Sequence, residues 1–349
     1  MDNTHLSEPR WNLNPLPQNS LTMIDFFCGA GVGAVGFLLS GYNILYAVDN
    51  KKYAVDSYNR NIPGNHAVIG DVKKLKATDL PVADLYAGGF PCTPFSESGS
   101  GKGVKDEKLG DLGYHFHRLV KEGQPKSFLI ENVGGLLHKK HKIFFNDLIR
   151  LFEEAGYNVS WKLLNLWEYG VPQLRNRVFI VGIHKSLGKT FVFPEPIPEE
   201  ERTTLMDAIG DLPNPDSYEK EELDQVILNQ KDYYKGGFSP RYLSRNRQKQ
   251  WNEPSFTIVS QSRQLPLYPE PANFDIRKMS EYDVKPPRRF TVRECLRLQT
   301  VPDWFSFSDD IDVAKQYERC SGIPSFMAYQ LGIAIHDTLT EAKKDQPPI

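Results

Sequence analysis

Leu21-Thr22-Met23-Ile24-Asp25-Phe26-Phe27, running straight into Cys28-Gly29-Ala30-Gly31-Val32-Gly33-Ala34-Val35-Gly36 and then Phe37-Leu38-Leu39, is the stretch that decides the fold. The first part is an apolar run of strand length, the glycine cluster is a turn, and the apolar residues after it begin a buried helix. Gly31, Gly33 and Gly36 satisfy a G-x-G-x-x-G spacing, and Asp49 ends the next apolar run, Ile44-Leu45-Tyr46-Ala47-Val48, at a distance suited to a ribose hydroxyl. Glycine serves such a turn because the exposed backbone N–H groups can approach a ligand closely. A bare tight turn accounts for the glycines but not for strand, helix and acid together. The spacing alone allows NAD, FAD or S-adenosyl-L-methionine.

Outward from this unit the pattern repeats. A helix is predicted over Lys51 to Arg60, then a strand at His66-Ala67-Val68-Ile69 ending in Gly70-Asp71, and a strand at Ala83-Asp84-Leu85-Tyr86-Ala87. That strand leads into Gly88-Gly89-Phe90-Pro91-Cys92-Thr93-Pro94-Phe95-Ser96, where the prolines forbid an immediate helix. A helix near Leu112 to Lys121, a strand at Ser127-Phe128-Leu129-Ile130 ending in Glu131, a helix around Ile143 to Ala155, and strands near Val159 to Leu166 and Val178 to Val181 follow. Alternation on this scale predicts a mostly parallel, doubly wound α/β sheet, with Asp49, Asp71, Cys92 and Glu131 along one carboxyl edge, where such sheets keep their ligand crevices.

The chain has 349 residues and a formal net charge of −2, with the mixed composition of a soluble globular protein. Met1 to Ser20, with Pro15 and Pro17 and no apolar core, reads as a short extension rather than a signal peptide or a membrane span. Cys28, Cys92, Cys295 and Cys320 form no Cys-x-x-Cys pair, which argues against a zinc site and a disulfide framework and for a reducing cytoplasm. His115, His117, His138 and His141 show no metal-ligand spacing, so no metal is expected. The charge is uneven: Pro194 to Asp224 is proline-rich and acidic, whereas Lys231 to Lys249 interleaves Lys235, Arg241, Arg245, Arg247 and Lys249 with Tyr233, Tyr234, Phe238 and Tyr242. A small separate domain with a basic, aromatic face is predicted there. Helices are predicted over Thr291 to Leu298 and Pro324 to Thr338.

The chemistry of the edge centres on Cys92. A lone cysteine is more often a packing residue, but Glu131-Asn132-Val133 on one strand end and Gln173-x-Arg175-x-Arg177 before another supply partners suited to a pyrimidine. Carbon 5 of cytosine is too weak a nucleophile to attack a sulfonium methyl group directly. A thiolate adding to carbon 6 makes carbon 5 nucleophilic, a carboxyl group at N3 relieves the charge that builds there, and a guanidinium at O2 holds the ring.

With these residues in place the chain resembles a DNA cytosine-C5 methyltransferase of bacterial restriction-modification type. The matching stretches are Asp25-Phe26-Phe27-Cys28-Gly29-Ala30-Gly31, Asp49, Gly70-Asp71, Gly89-Phe90-Pro91-Cys92, Glu131-Asn132-Val133, Gln173-x-Arg175-x-Arg177 and Arg289-Phe290-Thr291-Val292-Arg293-Glu294-Cys295-Leu296-Arg297-Leu298-Gln299. The resemblance implies a Rossmann-like class I S-adenosyl-L-methionine-dependent methyltransferase fold, mostly parallel with an antiparallel edge strand, plus a small target-recognition domain. It divides the chain into an extension (1–20), a catalytic domain (21–190), a recognition domain (191–300) and a returning C-terminal segment (301–349). It implies catalysis by Cys92, Glu131, Arg175 and Arg177, and cofactor contacts from Phe27, Gly29, Gly31, Gly33, Asp49, Asn50, Asp71, Val72, Phe90 and Pro91. This chain departs from the family at Val32, Asn50, Thr93 and Cys320-Ser321-Gly322-Ile323-Pro324.

The implied partner is double-stranded DNA, bound by a monomer, with a cognate restriction endonuclease acting on the same site. A cytosine in a duplex must be flipped out to meet a thiolate. Ser96, Arg241, Arg245 and Arg247 are expected on the DNA, with Thr257 as scaffold, Gln261 at a base or in the vacated stack, and Arg263 reading a guanine. The stretch Trp251 to Gln264 resembles recognition regions that modify GGCC. The alternatives are an NAD(P)-dependent oxidoreductase, which the glycines permit; a tRNA cytosine methyltransferase; and an inactive DNA-binding homologue.

Overall fold

A computed structural model of the chain describes residues 13–91, 111–215, 230, 232–239, 243–281 and 286–344. Cys92, Thr93, Ser96 and Arg241 lie outside the described residues. The chain forms two compact units: Asn14–Asn165, Asn176–Glu195 and Met327–Ile349 make one, and Met1–Leu13, Leu166–Arg175 and Pro196–Phe326 the other.

The first unit is the α/β sheet. In chain order it carries β1 (Thr22–Phe26), α1 (Val32–Leu39), β2 (Asn43–Asp49), α2 (Lys52–Asn61), β3 (Ala67–Ile69), β4 (Leu85–Gly88), α3 (Leu112–Gly123), β5 (Ser127–Val133), α4 (Lys142–Glu154) and β6 (Tyr157–Asn165). After a short β7 (Gln173–Leu174), which belongs to the other unit, the chain re-enters with β8 (Asn176–His184). The seven strands lie in the order β3-β2-β1-β4-β5-β8-β6. β1 to β5 are parallel, and β8 runs against both β5 and β6. The antiparallel strand therefore sits one place in from the edge, which β6 forms.

The sheet's composition explains its order. β4 is buried at every position and β5 at Ser127 to Ile130, as parallel strands covered on both faces must be. Edge strand β6 instead exposes Trp161, Lys162 and Leu163. Apolar residues at helical spacing, Leu112, Phe116, Leu119 and Val120 on α3 and Phe144, Phe145, Leu148 and Phe152 on α4, turn both helices onto the sheet. Their rings interlock with those of the strands: Phe128 stacks on Phe152 at 4.1 Å, and Phe26 meets Phe116 edge-on at 5.6 Å.

The second unit contains α5 (Leu205–Ile209), β9 (Ser255–Phe256), α6 (Val292–Leu298) and α7 (Val313–Cys320), with β7 and β9 pairing in parallel. Its centre is α6, buried along its whole length and started by a capping box between Thr291 and Glu294. Burying a charged helix requires a partner for each charge. Arg288 forks onto Glu294 at 2.8 and 2.7 Å, Arg297 joins Asp303 and Asp211, and Arg293 donates to the carbonyl of Phe305 at 2.7 Å. The conspicuous charges of the Arg289 to Gln299 stretch are thus its scaffold.

The last helix, α8 (Ser325–Lys344), joins the sheet unit from Met327 onward. Tyr42 donates to the carbonyl of Gly332 at 3.0 Å, and a Cβ at Gly332 would lie 2.4 Å from Ser40 Oγ, so a larger residue there would force Ser40 to shift. The two compact units divide the chain differently from the expected domains. Residues 14–20 belong to the sheet unit, with Leu16 N donating to Leu39 O at 2.8 Å and Asn19 N to Gly41 O at 2.8 Å. Residues 166–175 and 301–326 fall in the second unit, whose main segment begins at Pro196. Hydrogen bonds run within that unit: Trp167 donates to Thr203 O, and Ser325 N to Gln299 O. No helix among the described residues is long and apolar enough to cross a membrane.

Candidate active site

The glycine turn closes the carboxyl end of β1. Phe27, Gly29 and Gly31 all have positive φ, at 57°, 56° and 92°. For Phe27 this is a left-handed conformation that costs a side-chain-bearing residue about 1–2 kcal/mol. Strain of this kind clusters at functional sites. Gly33 and Gly36 lie within α1, so Gly29 and Gly31 make the turn. A Cβ at Gly31 would press on Tyr58 at 3.1 Å, whereas one at Gly29 would meet nothing within 4 Å, leaving open space beside the turn.

Asp49 ends β2 and is nearly buried; its carboxylate accepts from Gly29 N at 3.1 Å and from Lys51 N at 2.9 Å. Turn and acid are therefore one hydrogen-bonded unit. Asn50 and Asp71 are exposed, while Val72 is buried. Asp71 accepts from Lys73 N at 3.0 Å, a turn that fixes the chain after β3. Sequence reasoning assigned no role to Asp25, on the strand beneath the turn. Burial lifts its carboxyl to about 7, with the Asp49 charge adding to the rise and the Tyr58 side chain opposing it. Its place inside an apolar strand was the available signal.

On the same edge β5 and β8 bring Glu131 and Arg177 together. Their antiparallel register sets Val133 opposite Arg177 and Glu131 opposite Phe179, and Arg177 Nε reaches Glu131 Oε1 at 2.7 Å. Both side chains are about one-eighth exposed, at 13% and 12%. The contact is an ion pair without hydrogen-bond alignment, so Glu131 Oε1 accepts no hydrogen bond among the described residues. A Cβ at Gly89 would lie 3.2 Å from Glu131 Oε2, which places the Gly89-Phe90-Pro91 approach to Cys92 against this carboxylate. Asn132, another residue without an assigned role, donates to the carbonyl of Phe90 at 3.2 Å and fixes that approach. Phe90 is buried and Pro91 is half-buried.

Arg175 is placed differently from its expected catalytic role. It is 2% exposed and donates to the carbonyls of Ile258 at 3.0 Å and Gly322 at 2.7 Å, all within the second unit. Beside it Gln299 donates to Cys320 O at 2.6 Å, and Gln173 to Leu298 O at 2.5 Å. The segment that departs from the family, Cys320 to Pro324, thus supplies acceptors to this buried network. Cys295 and Cys320 are buried packing residues, and burial pushes both thiols well up.

None of the described residues expected to contact DNA is buried, and Gln261 and Arg263 are exposed. Arg245 is exposed and Arg247 half-buried. Thr257 donates to Leu174 O at 2.5 Å, a scaffold bond between neighbouring strands. Arg263 reaches back to the carbonyls of Gly237 and Phe238 at 3.4 and 3.1 Å, while Gln261 accepts from Gln264 at 2.7 Å. The aromatic residues of this stretch also have internal partners: Arg289 lies 4.1 Å over Phe238 and 5.2 Å over Tyr234. Part of the predicted basic, aromatic face is therefore packing. Among the described residues no group of side chains could hold a metal ion.

Residues 21–325 match the family model for C-5 cytosine-specific DNA methylase. The chain belongs to this family. The type II methyltransferase M.FnuDI of Fusobacterium nucleatum is 38% identical over 336 residues, covering 93% of this chain and 96% of the relative. M.NgoPII of Neisseria gonorrhoeae is 34% identical, covering 94% and 99%. Among solved structures, the methyltransferase EhMeth of Entamoeba histolytica aligns with a TM-score of 0.67 at 15% identity, covering 92% of this chain and 99% of its own. Dnmt2 of S. pombe aligns with 0.64 at 18%, covering 91% and 99%. At those identities the likeness is one of fold.

Proposed function

We propose that this methylase transfers a methyl group to carbon 5 of a cytosine flipped out of duplex DNA, and that the Glu131–Arg177 pair holds the ring. The carrying observation is that pair: a carboxylate oxygen with unused accepting capacity, 2.7 Å from a guanidinium, behind the approach to Cys92. The Cys92 thiolate bonds to carbon 6 and pushes an electron pair to carbon 5, which takes the methyl group. Loss of the carbon-5 proton to water and departure of the thiolate then restore the aromatic ring. Glu131 engages N3, and Arg177 the O2 oxygen, where negative charge develops.

The open space beside Gly29 and the Asp49 carboxylate tied to the same turn fit S-adenosyl-L-methionine. When bound, it supplies an electrophilic sulfonium methyl group. Phe27, Gly29, Gly31 and Asp49 would hold it, with Asp49 accepting from ribose hydroxyls. Several relatives carry type II methyltransferase names, which supports a place in a restriction-modification pair. Its GGCC target is a reading of Trp251 to Gln264. Bisulfite sequencing of DNA from cells expressing the protein tests both claims. Methylcytosine at one short sequence is expected; unmodified DNA contradicts the activity, and a different single sequence contradicts only GGCC.

A further inference from the structure

The loop from β5 to α4 carries His138-Lys139-Lys140-His141-Lys142, five basic residues in succession in a chain whose net charge is −2. His138, Lys139, Lys140 and Lys142 are exposed, and the next residue, Ile143, is 86% exposed. Elsewhere on the helices of this unit surface cations pair with acids one turn away, Lys52 with Asp56 at 2.6 Å on α2, Arg118 with Glu122 at 3.2 Å on α3 and, toward the far end of α4 itself, Arg150 with Glu154 at 2.6 Å. The first turn of α4 contains no acid. Among the described residues Lys139, Lys140 and Lys142 form no ion pair. The positive end of the helix dipole raises the cost of gathering them there.

Nothing in the packing needs these ammonium groups, because α4 is held by Phe144, Phe145, Leu148 and Phe152. Topology fixes where they stand. β5 ends at Val133 and a single helical turn, Gly134–Leu137, leads to the basic run. The run therefore borders the carboxyl edge that holds Glu131, Arg177 and the glycine turn. A row of exposed lysines beside an exposed aliphatic residue matches the spaced anionic oxygens of a nucleic-acid backbone better than a single small anion.

We propose that Lys139, Lys140 and Lys142 form a phosphate clamp on the catalytic unit, gripping duplex DNA next to the target cytosine independently of its sequence. The clamp rests on the DNA-methylating reading above and adds a second DNA-binding surface to the one expected around Arg245 and Arg263. It supplies affinity and register rather than base discrimination.

The test compares the full-length wild type with the K139A/K140A/K142A variant in anisotropy titrations of a fluorescent duplex between about 50 and 200 mM salt. Each phosphate contact contributes about 0.9 to the logarithmic salt slope, so the variant's slope is expected to flatten by about 2.7, and the wild type to lose about 40-fold more affinity than the variant across this range. Thermal midpoint, S-adenosyl-L-methionine binding and the preference for target over scrambled duplex are expected to stay unchanged. An unchanged slope in a normally folded variant overturns the clamp, as does a loss confined to target DNA. Should the triple variant fail to fold, K139A and K140A alone are each expected to flatten the slope by about 0.9, and no flattening in either overturns it equally. A wild type that neither methylates DNA nor binds it overturns the underlying reading instead.

Discussion

Arg175 and Arg177 stand two apart in sequence and make different contacts. On one continuous strand they would share a face, and the family resemblance implied a catalytic role for both. The chain instead leaves β7 after Leu174 and starts β8 at Asn176, so Arg175 turns into the second unit while Arg177 meets Glu131. Arg175→Ala strips the Ile258 and Gly322 carbonyls of a charged donor in a buried place, and is expected to destabilise the fold by about 3 kcal/mol or more, read as a lower thermal midpoint. Arg177→Ala is expected to spare the midpoint and cut the methylation rate; the reverse pattern would exchange the two roles. Glu131→Gln keeps the shape but removes the carboxylate. It is expected to lower kcat about 10²- to 10⁴-fold with unchanged S-adenosyl-L-methionine affinity. Undiminished turnover would remove Glu131 from the chemistry.

At the scale of elements, the strand–turn–helix at Leu21 to Leu39 was legible because its signals are local: an apolar run, then glycine, then an apolar helix. The glycine spacing was a poorer guide. Gly33 and Gly36 fit the fingerprint but lie in α1, while Gly29, outside the three-glycine count, shares the turn with Gly31. Gly31→Ala would force a Cβ to φ 92° and within 3.1 Å of Tyr58 Cδ2. The expected cost is about 1–2 kcal/mol from the backbone alone, read by chemical denaturation. A neutral Gly31→Ala would mean the turn is not held in this conformation. In the Arg289 to Gln299 stretch the charges are paired around a buried helix, Glu294 with Arg288 and Arg297 with Asp303 and Asp211.

The whole molecule was less legible than its parts, because its two units are discontinuous in sequence. The chain passes from the sheet into the second unit after Asn165, returns at Asn176, and leaves again after Glu195. A composition shift can mark the crossing after Glu195 but not a ten-residue excursion. The basic, aromatic stretch was likewise only half legible, since composition does not say which side chains have partners elsewhere in the fold: Phe238 lies under Arg289, while Arg245 is exposed. Stability should also follow pH through Asp25. Its folded-state carboxyl titrates at about 7 against 3.8 unfolded, so its contribution is fully present below about 3.8 and is lost as pH rises through 7. Asp25→Asn is therefore expected to raise the thermal midpoint more at pH 8 than at pH 5; an equal shift at both would show that Asp25 ionises normally. The central claim, covalent methylation of cytosine through Cys92, is tested most directly by tritium transfer from methyl-labelled S-adenosyl-L-methionine into duplex DNA. The wild type is expected to label carbon 5 of cytosine, and Cys92→Ala to bind the same DNA and label nothing. Full labelling by Cys92→Ala would contradict the mechanism.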